Sequence, residues 1–141
     1  MTDLLDLYQL AEREGIGIYW FTMESTESLS IMAQDGSCAV AMDPWRLRTL
    51  AEEKTKLAHE LGHCETGSFY NQSAALDVRQ KHENQADRWA IQHLIPSGAL
   101  EEAIANGCAE LWQLADYFGV TEDLMRKAVC LHLYGNMACV Y

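Results

Sequence analysis

The sequence lacks any run approaching the roughly 20 apolar residues that a membrane-spanning helix needs. Its opening, Met1-Thr2-Asp3-Leu4-Leu5-Asp6, has neither the basic segment nor the apolar stretch of a signal peptide. A cytoplasmic protein is expected. Positive charge is scarce: 10 Lys and Arg stand against 21 Asp and Glu, for a net charge of −11 and a pI near 4.7. Such a chain repels phosphate backbones and anionic membranes, which disfavours direct nucleic-acid or membrane binding and leaves a neutral or basic partner. No CxxC pair occurs among Cys38, Cys64, Cys108, Cys130 and Cys139. Odd in number and widely spaced, they read as reduced thiols, with Cys64 turned away from its neighbour His63 into core packing. Repeats, low-complexity tracts and Pro/Ser-rich linkers are absent too. The 141 residues are therefore expected to form one domain, 1–141, large enough to bury a core and too small for two.

What is present is His59-Glu60-Leu61-Gly62-His63. On a helix, residues i and i+4 project from one face, so both imidazoles can reach a single cation while Glu60 stays beside it. This is the spacing of a zinc hydrolase site. A catalytic zinc takes three protein ligands and keeps one position open for water, which it acidifies toward a pKa of about 7. Glu60 is placed to act as the base. Two histidines on an ordinary polar helix face are the alternative, but Leu50, Leu57, Leu61 and Cys64 on one side and Ala51, Ala58 and Gly62 on another make this helix buried nearly all round. Gly62 in mid-helix costs about 1 kcal/mol relative to Ala and marks close backbone packing.

A third ligand lies downstream, within a second helix expected from Asp77 to Ile95. Glu83, Asp87, Ala90, Ile91 and Leu94 recur there at helical spacing, a stripe that carries two carboxylates into an apolar face. A metal held by His59 and His63 would compensate the buried charge of Glu83. Asp87, one turn on, suits a hydrogen bond to a liganding imidazole. His82 adjoins Glu83 but points about 100° away, and His93 lies nearly in line with Glu83. Metzincin chemistry is excluded, because the Gly and His it needs beyond His63 are replaced by Thr66 and Phe69.

Along the chain, Leu4 to Glu12 reads as an amphipathic helix stopped by Gly15 and Gly17, followed by a short buried strand, Ile18 to Phe21. Segments 28–33 and 38–42 flank the hairpin signal Gln34-Asp35-Gly36-Ser37. Asp43-Pro44 opens a long helix from about Trp45 to Glu65. A short helix to Ala105 and a closing pair, Glu110 to Phe118 and Glu122 to His132, follow the two metal helices. The order predicts an α+β fold: a small antiparallel sheet, a zincin-like helical metal site and a C-terminal helical pair, with the sheet edge open to an added peptide strand.

The stretch Lys56-Leu-Ala-His-Glu-Leu-Gly-His63, followed by Glu83-Asn-Gln-Ala-Asp87 and Trp89-Ala90, resembles the ImmA/IrrE family of bacterial and phage metallopeptidases. The resemblance covers most of the chain. It implies that His59, His63 and Glu83 hold a metal, usually zinc, that Glu60 is the catalytic base, and that the substrate is a helix-turn-helix repressor of mobile-element or stress genes. The additional sensory or DNA-binding domain of longer members is not expected here. Tyr70, His82 and His93 are the candidates to stabilise the oxyanion, and the sequence does not choose among them.

Two other readings accompany this one. Leu114 to Arg126 has the Ala, Gly and apolar spacing of a DNA-binding helix-turn-helix, but its second helix opens Thr121-Glu122-Asp123, whose acids repel phosphates. Packing against the metal helices is the expected use of that pair. An inactive metal-binding relative would keep the fold without hydrolysis, against which all the motif residues are intact.

Overall fold

A computed structural model describes residues 2–71 and 73–138. Helix α1 (Leu4–Arg13) begins at a capping box in which the Asp3 carboxylate accepts the Asp6 N–H and Asp6 returns the bond. Strands β1 (Gly17–Trp20), β2 (Ser28–Met32) and β3 (Cys38–Met42) follow. Then come α2 (Leu50–Thr66), α3 (Leu76–Leu94), α4 (Ser97–Ala105), α5 (Leu111–Phe118) and α6 (Glu122–Tyr134). The fold is α+β.

The sheet is mixed where an antiparallel one was expected. Its order is β1-β3-β2, with β1 parallel and β2 antiparallel to β3. The β2–β3 pair is the hairpin read from the turn residues: Gly36 adopts φ 88°, and the Asp35 carboxylate accepts both the Ser37 N–H and its hydroxyl. β1 has no such turn to β2; residues 21–27 carry the chain past β3, so β1 is left beside β3 and parallel to it. Nor is β1 a buried strand. Tyr19, Trp20 and Phe21 are 59%, 42% and 51% exposed, as β1 lies at the edge of the sheet.

The long helix starts at Leu50 rather than near Trp45. Asp43, almost fully buried, uses its carboxylate to accept the N–H groups of Met23 (2.9 Å) and Trp45 (2.8 Å) in a turn, and Thr49 then caps α2 by accepting the Glu52 N–H. The bond from the Met23 N–H, outweighing burial, holds the Asp43 carboxyl below the usual range.

α2 packs most extensively on α3. A Cβ added at Gly62 would lie 2.6 Å from the Ala86 carbonyl oxygen, so the glycine is what lets the two backbones meet. Leu57, Leu61, Ala90, Ile91 and Leu94 continue this contact into a core shared with Val40 and Met42 of β3 and Phe118, Met125 and Val129 of the last two helices. Gly62→Ala is expected to be destabilising and to lower metal affinity despite Ala's better helix propensity of about 1 kcal/mol, because the helices that carry the two halves of the site must separate. Thermal melting with and without added zinc checks this; an unchanged or raised melting temperature would contradict it.

The C-terminal pair is tied to the same helices. Buried Lys54 donates to the Phe118 carbonyl at the end of α5 (2.6 Å), the Thr121 N–H donates to Thr55 Oγ1 (3.0 Å), and His132 contacts the Ile95 carbonyl (2.6 Å). The expectation that this pair packs on the metal helices holds.

The expectation of reduced thiols fails at Cys38 and Cys64, which form a disulfide between the start of β3 and the last turn of α2, with Cα atoms 6.0 Å apart. A separation of 26 residues gave no hint of that proximity. The expectation fails at Cys130 as well, which is buried in the core and disulfide-bonded; Cys108 is free, and Cys139 lies outside the described residues.

Candidate metal centre

α2 and α3 run past one another in opposite senses, so that His63 meets Glu83 while His59, one turn earlier, meets both Glu83 and Asp87 one turn later. Glu83 Oε2 lies 2.6 Å from His59 Nε2 and 3.2 Å from His63 Nε2, and the two Nε2 atoms are 3.2 Å apart. These three residues form a group that could hold a metal ion.

The far side of each ring decides what this convergence means. His63 Nδ1 sits 2.5 Å from the Ser68 carbonyl oxygen, and His59 Nδ1 2.7 Å from Asp87 Oδ1. Both partners are acceptors, so both Nδ1 atoms carry protons, and each ring when neutral turns its Nε2 lone pair toward the Glu83 oxygen. Three acceptors then converge, an arrangement that a proton on His59 relieves and that a cation could fill. The donor separations suit one: ligand bonds of about 2.0–2.1 Å in a tetrahedron place donors about 3.3 Å apart. The closer His59–Glu83 distance is that of a hydrogen bond. Burial, the largest influence on His59, lowers its pKa, but bonds to Asp87 and Glu83 and the charges of Asp87 and Glu60 outweigh it and raise the pKa to about 10. Burial likewise raises Glu83, and the bonds from His59, His63 and Tyr70 more than reverse this, holding its carboxyl far below the usual range.

Around this group, Asp87 takes the place expected for it beside His59. Its second oxygen accepts from Lys127 of α6 at 2.9 Å, a partner that sequence spacing did not reveal. Burial alone would raise the Asp87 pKa; the His59 bond and Lys127 lower it. Glu60 is buried, and its Oε2 accepts from the Ser28 hydroxyl of β2 at 2.7 Å. The Ser68 carbonyl is brought under His63 by Gly67, which ends α2 at φ 66°. Nothing local in the sequence linked Ser28 or Lys127 to the motif.

The three oxyanion candidates separate. Tyr70 faces the cleft and donates to Glu83 Oε1 at 2.6 Å, a bond that, ahead of burial, pushes its own pKa up to about 12. His82 stacks against Tyr70 outside the cleft lining. His93 is exposed, stacked on Trp89 and bonded to the Trp89 carbonyl. Only Tyr70 is near the metal group.

The sequence profile described as the IrrE N-terminal-like domain, Peptidase_M78, matches residues 46–129, which span α2 through most of α6. The chain belongs to that family. No curated protein matches it. Within the IrrE N-terminal-like family the matched span holds every residue of the His59, His63, Glu83 group, together with Glu60 and Asp87. The M78 assignment and that group together indicate a metallopeptidase. No helix among the described residues is long and apolar enough to cross a membrane.

Proposed function

We propose that the chain is a zinc-dependent endopeptidase in which His59, His63 and Glu83 hold the metal, and that its substrate is a helix-turn-helix repressor. The observation that carries the reading is the convergence of three acceptor atoms beside buried Glu60, at the floor of an open cleft of about 1400 Å³ that borders β2.

A bound zinc would supply Lewis-acid polarisation of the scissile carbonyl and acidify a water. Glu60 takes the proton of the attacking water and delivers it to the leaving amine. Asp87 and the Ser68 carbonyl fix both imidazoles in the tautomer that presents Nε2. Tyr70, by occupying Glu83 Oε1, leaves Oε2 as the liganding oxygen and brings a hydroxyl donor to the cleft.

β2 orients the substrate. The bonds Asp43 N–H to Glu27 O and Ala33 N–H to Ser37 O show that odd-numbered residues of the strand face β3. Ser28 and Ser30 therefore turn their backbone groups to the free edge, where an extended peptide can add. The Ser28 carbonyl already accepts from Thr26 Oγ1 at 2.8 Å, which leaves its N–H and both groups of Ser30.

The acidic charge acts at longer range than the cleft. Four of the ten basic residues, Arg46, Arg48, Lys56 and Lys127, line the cleft against six acidic ones, so most of the −11 lies elsewhere on the surface. It steers a basic DNA-reading partner toward the protein without setting subsite preference. Co-expression with a repressor encoded beside the gene tests the assignment: cleavage is expected with the wild type and not with Glu60→Gln. A repressor intact in both cultures would remove it.

The helix-turn-helix-like pair is expected not to bind DNA, since α6 opens with Glu122 and Asp123 and its Lys127 is engaged by Asp87. Anisotropy titration of duplex DNA at low salt is the severe condition. Submicromolar, salt-sensitive binding would favour a DNA-binding role instead.

A further inference from the structure

Glu60 is 6% exposed, and the Ser28 hydroxyl is the one hydrogen-bond donor to its carboxylate among the described residues. Ser28 is itself 8% exposed and lies on β2, 32 residues away in sequence. The terminal torsion of a glutamate is broad and roughly two-fold. Without a donor the carboxylate of Glu60 would sample that range; the 2.7 Å bond to Oε2 selects one orientation and leaves Oε1 without a donor among the described residues.

We propose that Ser28 is a positioning residue for Glu60, holding Oε2 so that Oε1 is presented to the attacking water. The inference rests on the metallopeptidase reading above. Ser28, like Ser30, also turns its backbone N–H to the free edge of β2, so a substrate strand pairing there settles on the residue that orients the base. Substrate docking and base alignment share one residue, and a peptide that fails to pair at Ser28 meets a less ordered base.

Cobalt-loaded protein titrated with acetohydroxamic acid tests this without needing the natural substrate. The hydroxamate chelates the metal through two oxygens and shares its proton with the adjacent base, and the visible cobalt bands report its binding. Ser28→Ala is expected to keep full cobalt stoichiometry and to weaken hydroxamate binding about 10-fold, as loss of a supporting contact does. Ser28→Thr, which keeps the hydroxyl and suits a strand, is expected to stay within about threefold of wild type. Glu60→Gln should weaken binding at least as much as Ser28→Ala. Wild-type affinity in Ser28→Ala beside a weakened Glu60→Gln would overturn the role of Ser28 and leave the metallopeptidase reading intact. Equal weakening in Ser28→Ala and Ser28→Thr would also overturn it. Failure of the wild type to take up cobalt or hydroxamate would overturn both.

Discussion

Glu60→Gln is expected to abolish peptide hydrolysis while leaving bound metal near one equivalent per chain. Glu60 is next to His59 in sequence, yet the atoms that converge on the candidate metal position come from His59, His63 and Glu83. Gln has the same shape and still offers an oxygen to the Ser28 hydroxyl, so fold and ligand geometry survive. What it loses is the capacity to take a proton from water. Removing a positioned general base costs about 10²- to 10⁴-fold, and with no other carboxylate among the converging residues free for the task, the loss should fall at the upper end of that range. Metal analysis and hydrolysis on the same preparation separate base from ligand. Loss of metal together with activity would make Glu60 a ligand.

Glu83→Ala is expected to have the larger effect on the metal itself. It removes the one anionic donor and leaves two imidazoles, which cannot complete a three-residue site. It also strands the Tyr70 hydroxyl and removes the acceptor toward which both Nε2 atoms turn. Zinc affinity should fall by more than the roughly 10- to 100-fold expected for Asp87→Ala, which removes only the support beneath His59. Because metal stabilises the fold that binds it, the rise in melting temperature on adding zinc should nearly vanish in Glu83→Ala and persist, reduced, in Asp87→Ala. The reverse ranking, read from zinc titrations of both variants, would place the third ligand elsewhere.

The parts of this site that could be read from the sequence are those set by helical period. His59 and His63 share a face because they are one turn apart, and Glu83 and Asp87 do so for the same reason. Gly62 announced the close approach of α3, now seen at Ala86. The supporting contacts were out of reach for the opposite reason: Ser28, the Ser68 carbonyl and Lys127 arrive from a strand, a turn and a distant helix, and no spacing relates them to the motif.

The same division runs through the fold. The β2–β3 hairpin was legible because Asp35 and Gly36 make a turn within a few residues, whereas the parallel placement of β1 depends on where residues 21–27 carry the chain. Pro44 suggested a helix start, but the Asp43 side chain is engaged in the preceding turn, and Thr49 is the residue free to cap. The Cys38–Cys64 disulfide follows from β3 meeting the end of α2, a tertiary contact that reading the cysteines as reduced thiols could not anticipate.

Elemental analysis by inductively coupled plasma mass spectrometry, on protein purified without added metal, bears most directly on the claim that His59, His63 and Glu83 form a zinc site. About one zinc per chain is expected in the wild type and in Glu60→Gln, and markedly less in Glu83→Ala. A wild type that carries no metal and takes up none on zinc titration, or a Glu83→Ala variant that retains its full complement, would contradict it.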